Sequence, residues 1–122
     1  MANAINWFEI PATNFQRAKA FYTQILEQEL PVQEIMGSQM AFLNASEGGV
    51  GGAICAGEAY VPSKEGALVY LNGGDDLAMI LDRVENAGGR VVLPKTKISD
   101  EIGYFGLFLD TEGNKMALHS MG

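Results

Sequence analysis

One amphipathic helical face is written twice in this chain, 62 residues apart. From Asn14 to Gln28 the apolar residues Phe15, Ala18, Phe21, Tyr22, Ile25 and Leu26 recur at helical spacing. From Asp76 to Ala87, Leu77, Ile80, Leu81, Val84 and Ala87 repeat the pattern. The shift lays Asn14 on Asp76, Phe15 on Leu77, Ala18 on Ile80, Tyr22 on Val84 and Ile25 on Ala87. Asn14 and Asp76 are each placed to accept from a free first-turn N–H, and Gly88-Gly89 supplies a stop after the second helix.

Each helix follows an apolar strand-like segment, Ile5 to Ile10 and Ala67 to Asn72, and precedes three more. In the first half these are Glu29 to Ile35, Gln39 to Asn44 and Gly51 to Ala56; in the second, Arg90 to Pro94, Tyr104 to Leu109 and Lys115 to Ser120. The pattern predicts β-α-β-β-β twice, an α+β fold. Gly57 to Glu65 reads as the linker, too short to separate independent domains. A half of about sixty residues buries little surface alone, so both are expected to share one domain over 1–122, with modules at about 1–57 and 66–122.

Composition narrows the function classes. Eight Lys and Arg against fifteen Asp and Glu give a net charge of −7, and the basic residues are scattered. That argues against nucleic acid and anionic membranes, both of which draw affinity from clustered cations. No apolar run approaches the ~20 residues that span a bilayer. The start, Met1 to Asn6, lacks the basic and apolar stretches of a signal peptide, and Cys55 has no intrachain partner, so a cytoplasmic location is expected. A single Cys also excludes cysteine-rich zinc sites and Cys-x-x-Cys redox motifs. Gly48-Gly49-Val50-Gly51-Gly52 precedes no capped amphipathic helix, so it reads as a hairpin turn rather than a phosphate cradle.

Four segments ride on the duplicated plan: Trp7-Phe8-Glu9-Ile10-Pro11, Arg17-Ala18-Lys19-Ala20-Phe21-Tyr22, Gly51-Gly52-Ala53, and Asp110-Thr111-Glu112-Gly113-Asn114-Lys115. Together they resemble the vicinal oxygen chelate superfamily, the glyoxalase, bleomycin-resistance and dioxygenase fold, in its glyoxalase-related branch. Thr111 stands where that branch's closing turn usually has Pro. The resemblance implies two βαβββ modules forming a concave mixed-sheet cavity, usually in a homodimer. In metal-dependent relatives it implies a divalent ion held by His and Glu from four strands. Those positions fall on Trp7, on Gly52 or Ala53, near Leu68, and on Ala117, none of which is a ligand. No cofactor is therefore predicted, and an unusual divalent ion between Glu9 and His119 stays open as an alternative.

Successive strand side chains point to opposite faces. With Phe8 and Ile10 under the helix, Trp7, Glu9 and Pro11 are expected on the concave face. With Val69, Leu71, Met116 and Leu118 inward, Leu68, Tyr70, Asn72, Lys115, Ala117 and His119 are expected there too. Trp7 then either stacks on a flat ligand or fills space. Glu9 beside it either binds a cationic or hydroxylated ligand, acts as acid or base, or is a solvated strand-edge carboxylate. His119 polarises a substrate, binds an anion or is an exposed terminal histidine, and Tyr70, Asn72, Tyr104 and Phe105 are further contact candidates. Cys55 reads as a buried structural thiol.

Two functions follow. One is a metal-free small-molecule binding protein with a Trp7-lined cavity. The other is a lyase, isomerase or dioxygenase-type enzyme, related to lactoylglutathione lyase, with displaced metal ligands or with Glu9 as catalytic group and Tyr70 or His119 as its partner. The expected partners are a small-molecule ligand and a second copy of the chain.

Overall fold

The computed structural model describes residues 3–122, so Met1 and Ala2, the start of the segment read for a leader, lie outside the described residues. Asn14 Oδ1 accepts from Arg17 N at 3.0 Å and opens α1, Phe15–Leu26. It satisfies an N–H that the first turn leaves without a partner. The helix ends at Leu26, two residues before the boundary that periodicity alone suggests, and Glu27 caps it with a left-handed φ of 52°. Asp76 Oδ1 accepts from Ala78 N at 3.0 Å ahead of α2, Ala78–Val84. The expected helix to Ala87 is replaced after Val84 by a closing turn. Gly88 takes φ 105° and Gly89 N donates to Val84 O at 3.0 Å, a bond across six residues that absorbs a last-turn carbonyl.

Eight strands complete the chain: β1 Phe8–Ala12, β2 Val32–Ile35, β3 Ser38–Leu43, β4 Gly52–Ala56, β5 Val69–Asn72, β6 Arg90–Ser99, β7 Gly103–Leu109 and β8 Lys115–Ser120. They form two four-stranded sheets ordered β1-β4-β3-β2 and β5-β8-β7-β6. In each, the outer pair β1-β4 or β5-β8 is parallel and the others antiparallel. The duplicated sequence is thus a duplicated topology, α+β with two mixed sheets, neither closing into a barrel.

Several strands depart from their expected bounds, β2 beginning at Val32 rather than Glu29 and β5 at Val69 rather than Ala67, and two of those that shift contain proline. The first begins at Phe8 rather than Ile5 and runs through Pro11. The sixth extends past Pro94 to Ser99, with register shifts between Val91 and Leu93, Leu93 and Thr96, and Lys97 and Ser99. Both lie at sheet edges, where a missing N–H breaks no ladder.

The core lies where the helices pack on the sheets and on each other. Phe15, Ala18, Phe21, Tyr22 and Ile25 of α1 are buried, as are Leu77, Leu81 and Val84 at α2. Phe21 meets Tyr22 edge-on, ring centroids 4.9 Å apart, and Phe108 of β7 at 6.0 Å. The β7–β8 turn then grips the start of α1. Tyr22 Oη donates to Asp110 Oδ2 at 2.6 Å, and Asn114 Nδ2 donates to the same oxygen at 2.9 Å and to Pro11 O at 2.7 Å. Glu112 Oε1 accepts from Thr13 N at 2.9 Å and Asn14 N at 2.7 Å, while its Oε2 accepts from Arg17 Nε at 2.7 Å. Two of the four sequence segments, around Arg17 to Tyr22 and Asp110 to Asn114, are therefore the two sides of one intermodule clamp.

Candidate functional site

The strand register sets one face of each sheet away from the helices. Glu9 pairs with Ala53 and Ala53 with Phe42, so these side chains share a face, as do Pro11, Cys55 and Met40. Ile10 and Ala12, on the alternate positions, are buried in the core. Trp7 precedes β1 and remains 43% exposed, its ring tilted 57° against Phe42 with centroids 6.0 Å apart. The floor is small and closed, since Ala53 and Cys55 are fully buried. Gly52 has a role in this closeness: a Cβ there would lie 2.5 Å from Phe8 O and 2.6 Å from its ring. What approaches Gly52 is the neighbouring strand.

Glu9 is exposed on this face, on the edge strand β1, and is held by two donors. Trp7 Nε1 donates to Oε2 at 3.3 Å and Tyr60 Oη donates to Oε1 at 2.9 Å. The hydrogen bond to Glu9, then partial burial, pushes the Tyr60 hydroxyl up to about 12, so it stays a donor at neutral pH. Burial, with the negative charge of Glu9 beside it, pushes the Cys55 thiol up to about 12 as well. Cys55 is thereby held protonated, an inert group in the floor. Tyr60 is the residue that sequence reasoning misses. It comes from the linker, where no strand alternation reports direction, and meets Glu9 across 51 residues.

The second sheet presents the other group of candidates. Tyr70 pairs with Ala117, Asn72 with His119, and His119 with Phe105, so these share one face. Tyr70 is 50% exposed, Leu68 is 39% exposed and Ala117 is fully buried. Tyr70, Asn72, Asp75, His119 and Met121 border an open groove of about 700 Å³. His119 Nε2 lies 2.5 Å from Ile102 O; a carbonyl only accepts, so this nitrogen carries the proton and donates. Asn72 Oδ1 accepts from Gly74 N at 2.8 Å, which commits it to the turn after β5.

Tyr104 is a correction. It pairs with Ser120, one residue out of phase with Phe105, and so faces the helix side. There it packs against the core, and Lys95 Nζ sits 4.6 Å from its ring centroid while bonding Asp76 at 2.8 Å. Adjacent side chains of a strand point to opposite faces.

The four positions mapped for a His/Glu-bound ion carry no suitable donors, and Glu9 and His119 lie on different sheets. Among the described residues no three His, Cys, Asp or Glu side chains converge. This donor set does not fit the ion that metal-dependent relatives hold.

Comparison with known proteins agrees with this architecture. Residues 4–118 match the model of the Glyoxalase/Bleomycin resistance protein/Dioxygenase superfamily. A glyoxylase-like domain-containing protein of Didymella fabae is 30% identical over 93% of this chain and 91% of its own length. Among solved structures, a glyoxylase/bleomycin resistance protein/dioxygenase domain from Frankia sp. EAN1pec superposes with a TM-score of 0.71 at 13% identity, covering 98% of both chains. A glyoxalase/bleomycin resistance protein from Streptomyces sp. CB03234 gives 0.69 at 21% identity, over 95% of this chain and 100% of that one. With the repeated βαβββ plan, the matching family model and the whole-length relative all in agreement, the chain belongs to the Glyoxalase/Bleomycin resistance protein/Dioxygenase superfamily.

Proposed function

We propose that this chain binds a small organic molecule on the open face of β1 and β4, without a His/Glu-bound metal. One observation carries the reading: an exposed indole and a linker tyrosine both hydrogen-bond a carboxylate above a floor of small buried residues. An apolar wall with a few convergent polar groups is what small-molecule sites have in common. A homodimer is part of the reading. Strands β1 and β5 are sheet edges, and the exposed Trp7 and Leu68 just before them, with Tyr70 in β5, suit coverage by a second copy. No helix of the described residues is long and apolar enough to cross a membrane; a cytoplasmic setting suits the free Cys55 thiol.

The test is metal analysis with thermal-shift titration in divalent ions and chelator, followed by a small-molecule screen read by tryptophan emission. Indifference to ions and chelator, with quenching by a screened compound, is the expected result. Stoichiometric metal with a reversible shift overturns it.

The Glu9–Tyr60 hydrogen bond also favours a second reading, metal-free acid–base catalysis of lyase or isomerase type. Glu9 would take a proton from a bound substrate and Tyr60 would donate to the developing negative oxygen. Turnover of any screened ligand that survives Glu9→Gln rules this out.

A further inference from the structure

We propose that the open face around Glu9 selects small organic cations, an ammonium or amidinium group with N–H donors carried on an apolar body. This rests on the reading of that face as a ligand site. Glu9 accepts from two donors, Trp7 Nε1 and Tyr60 Oη. A carboxylate offers about four lone-pair positions, so room for further donors is left on an exposed group. Neither donor is charged. The ion pairs among the described residues join Arg17 to Glu112, Arg83 to Glu27, Lys95 to Asp76 and Lys97 to Asp100, and none includes Glu9. Its negative charge is therefore oriented by hydrogen bonds and has no countercharge among the described residues.

The surroundings act in the same direction. Trp7 and Phe42, tilted 57° to one another, offer aromatic faces, and such faces attract cations through their quadrupole. Cys55 beneath is a protonated thiol and adds no competing charge. The net charge of −7 contributes an attractive long-range field. A neutral donor keeps the hydrogen bond to Glu9 and loses the charge; an anion meets repulsion from the carboxylate, the ring faces and the overall field. Charge-assisted hydrogen bonds are about twice as strong as neutral ones, which sets the expected discrimination.

Trp7 is the sole tryptophan, so its emission reports this face alone. The experiment titrates benzylamine, benzyl alcohol and benzoate, which share a ring and differ in charge, against wild type, Glu9→Gln and Tyr60→Phe. Benzylamine is expected to bind wild type about tenfold more tightly than benzyl alcohol, with benzoate weaker than either. Glu9→Gln should erase that preference, and Tyr60→Phe should reduce the preference several-fold. The three-probe comparison in wild type needs no variant to fold. Equal affinity for benzylamine and benzyl alcohol overturns cation selectivity while leaving the face a ligand site. A preference that persists in Glu9→Gln overturns the role of Glu9. Emission indifferent to all three probes overturns the cation proposal, and the metal and screening experiment then decides the ligand site by itself.

Discussion

Replacing Tyr22 by Phe removes one oxygen from a fully buried ring and tests how much the intermodule clamp contributes. The carboxylate of Asp110 is itself buried and accepts from four donors. Oδ1 takes Glu112 N at 2.8 Å and Asn114 N at 2.9 Å; Oδ2 takes Tyr22 Oη at 2.6 Å and Asn114 Nδ2 at 2.9 Å. Burial first, then the charge of Asp110, raises the Tyr22 hydroxyl well above the ordinary phenol range, so it remains a donor. Phe keeps the edge-on contact with Phe21 and leaves one lone pair of a buried anion unpaired. Hydrogen bonds to charged groups contribute about 1.5–3 kcal/mol, so a loss of about 2 kcal/mol is expected. An unfolding entropy of about 2.1 cal/mol/K per residue then predicts a melting temperature lower by about 8 °C. Urea unfolding followed by far-UV circular dichroism measures it, with an unchanged slope marking an unchanged native surface. A loss below about 0.5 kcal/mol would refute the reasoning, since the variant would then match an ordinary surface substitution.

The Glu112 carboxylate is pushed up by burial, but the Arg17 side chain, the Asn14 N–H and the Thr111 hydroxyl together hold it below its usual 4.5. A group with a depressed folded pKa contributes stability above its unfolded value and loses it as pH falls through the folded one. Glu112→Gln should therefore be less stable than wild type at neutral pH, and the difference in urea midpoint should shrink steadily below pH 4.5; a constant difference across that range contradicts the clamp. Gly52→Ala should displace β1, because its Cβ meets Phe8 O at 2.5 Å, and should cost about 1–3 kcal/mol. Gly66→Ala, with open space at its Cβ, is the control and should stay within about 0.5 kcal/mol in the same denaturation assay. Sedimentation equilibrium should give a mass twice 13.1 kDa, falling toward the single-chain value in Tyr70→Asp; a concentration-independent single-chain mass in wild type removes the dimer.

The duplicated plan was legible because helix faces are read by a period the sequence repeats, and because Asn14 and Asp76 sit where first-turn N–H groups need acceptors. Alternation around the buried Ile10, Leu71 and Leu118 likewise oriented Glu9, Tyr70 and His119. Tyr60 was illegible, since a linker side chain has no period and its partner lies 51 residues back. Tyr104 shows the cost of treating neighbours as a pair in a strand whose faces alternate. Arg17, Tyr22, Asp110 and Glu112 could be read as family markers, but their mutual contacts span 88 to 95 residues and only tertiary structure reveals them.

The clamp also imposes an order on synthesis. The backbone N–H of Thr13 waits for the carboxylate of Glu112, 99 residues downstream, and Asn14 N waits for the same group. As the chain leaves the ribosome, the first module emerges with its helix entrance lacking these bonds while the 99 residues to Glu112 are added. Contacts of such long separation close late, after a large loss of chain entropy. The first module is therefore made early and finished only when Glu112 has been added, so its exposure to nascent-chain proteases and chaperones lasts through the synthesis of the second.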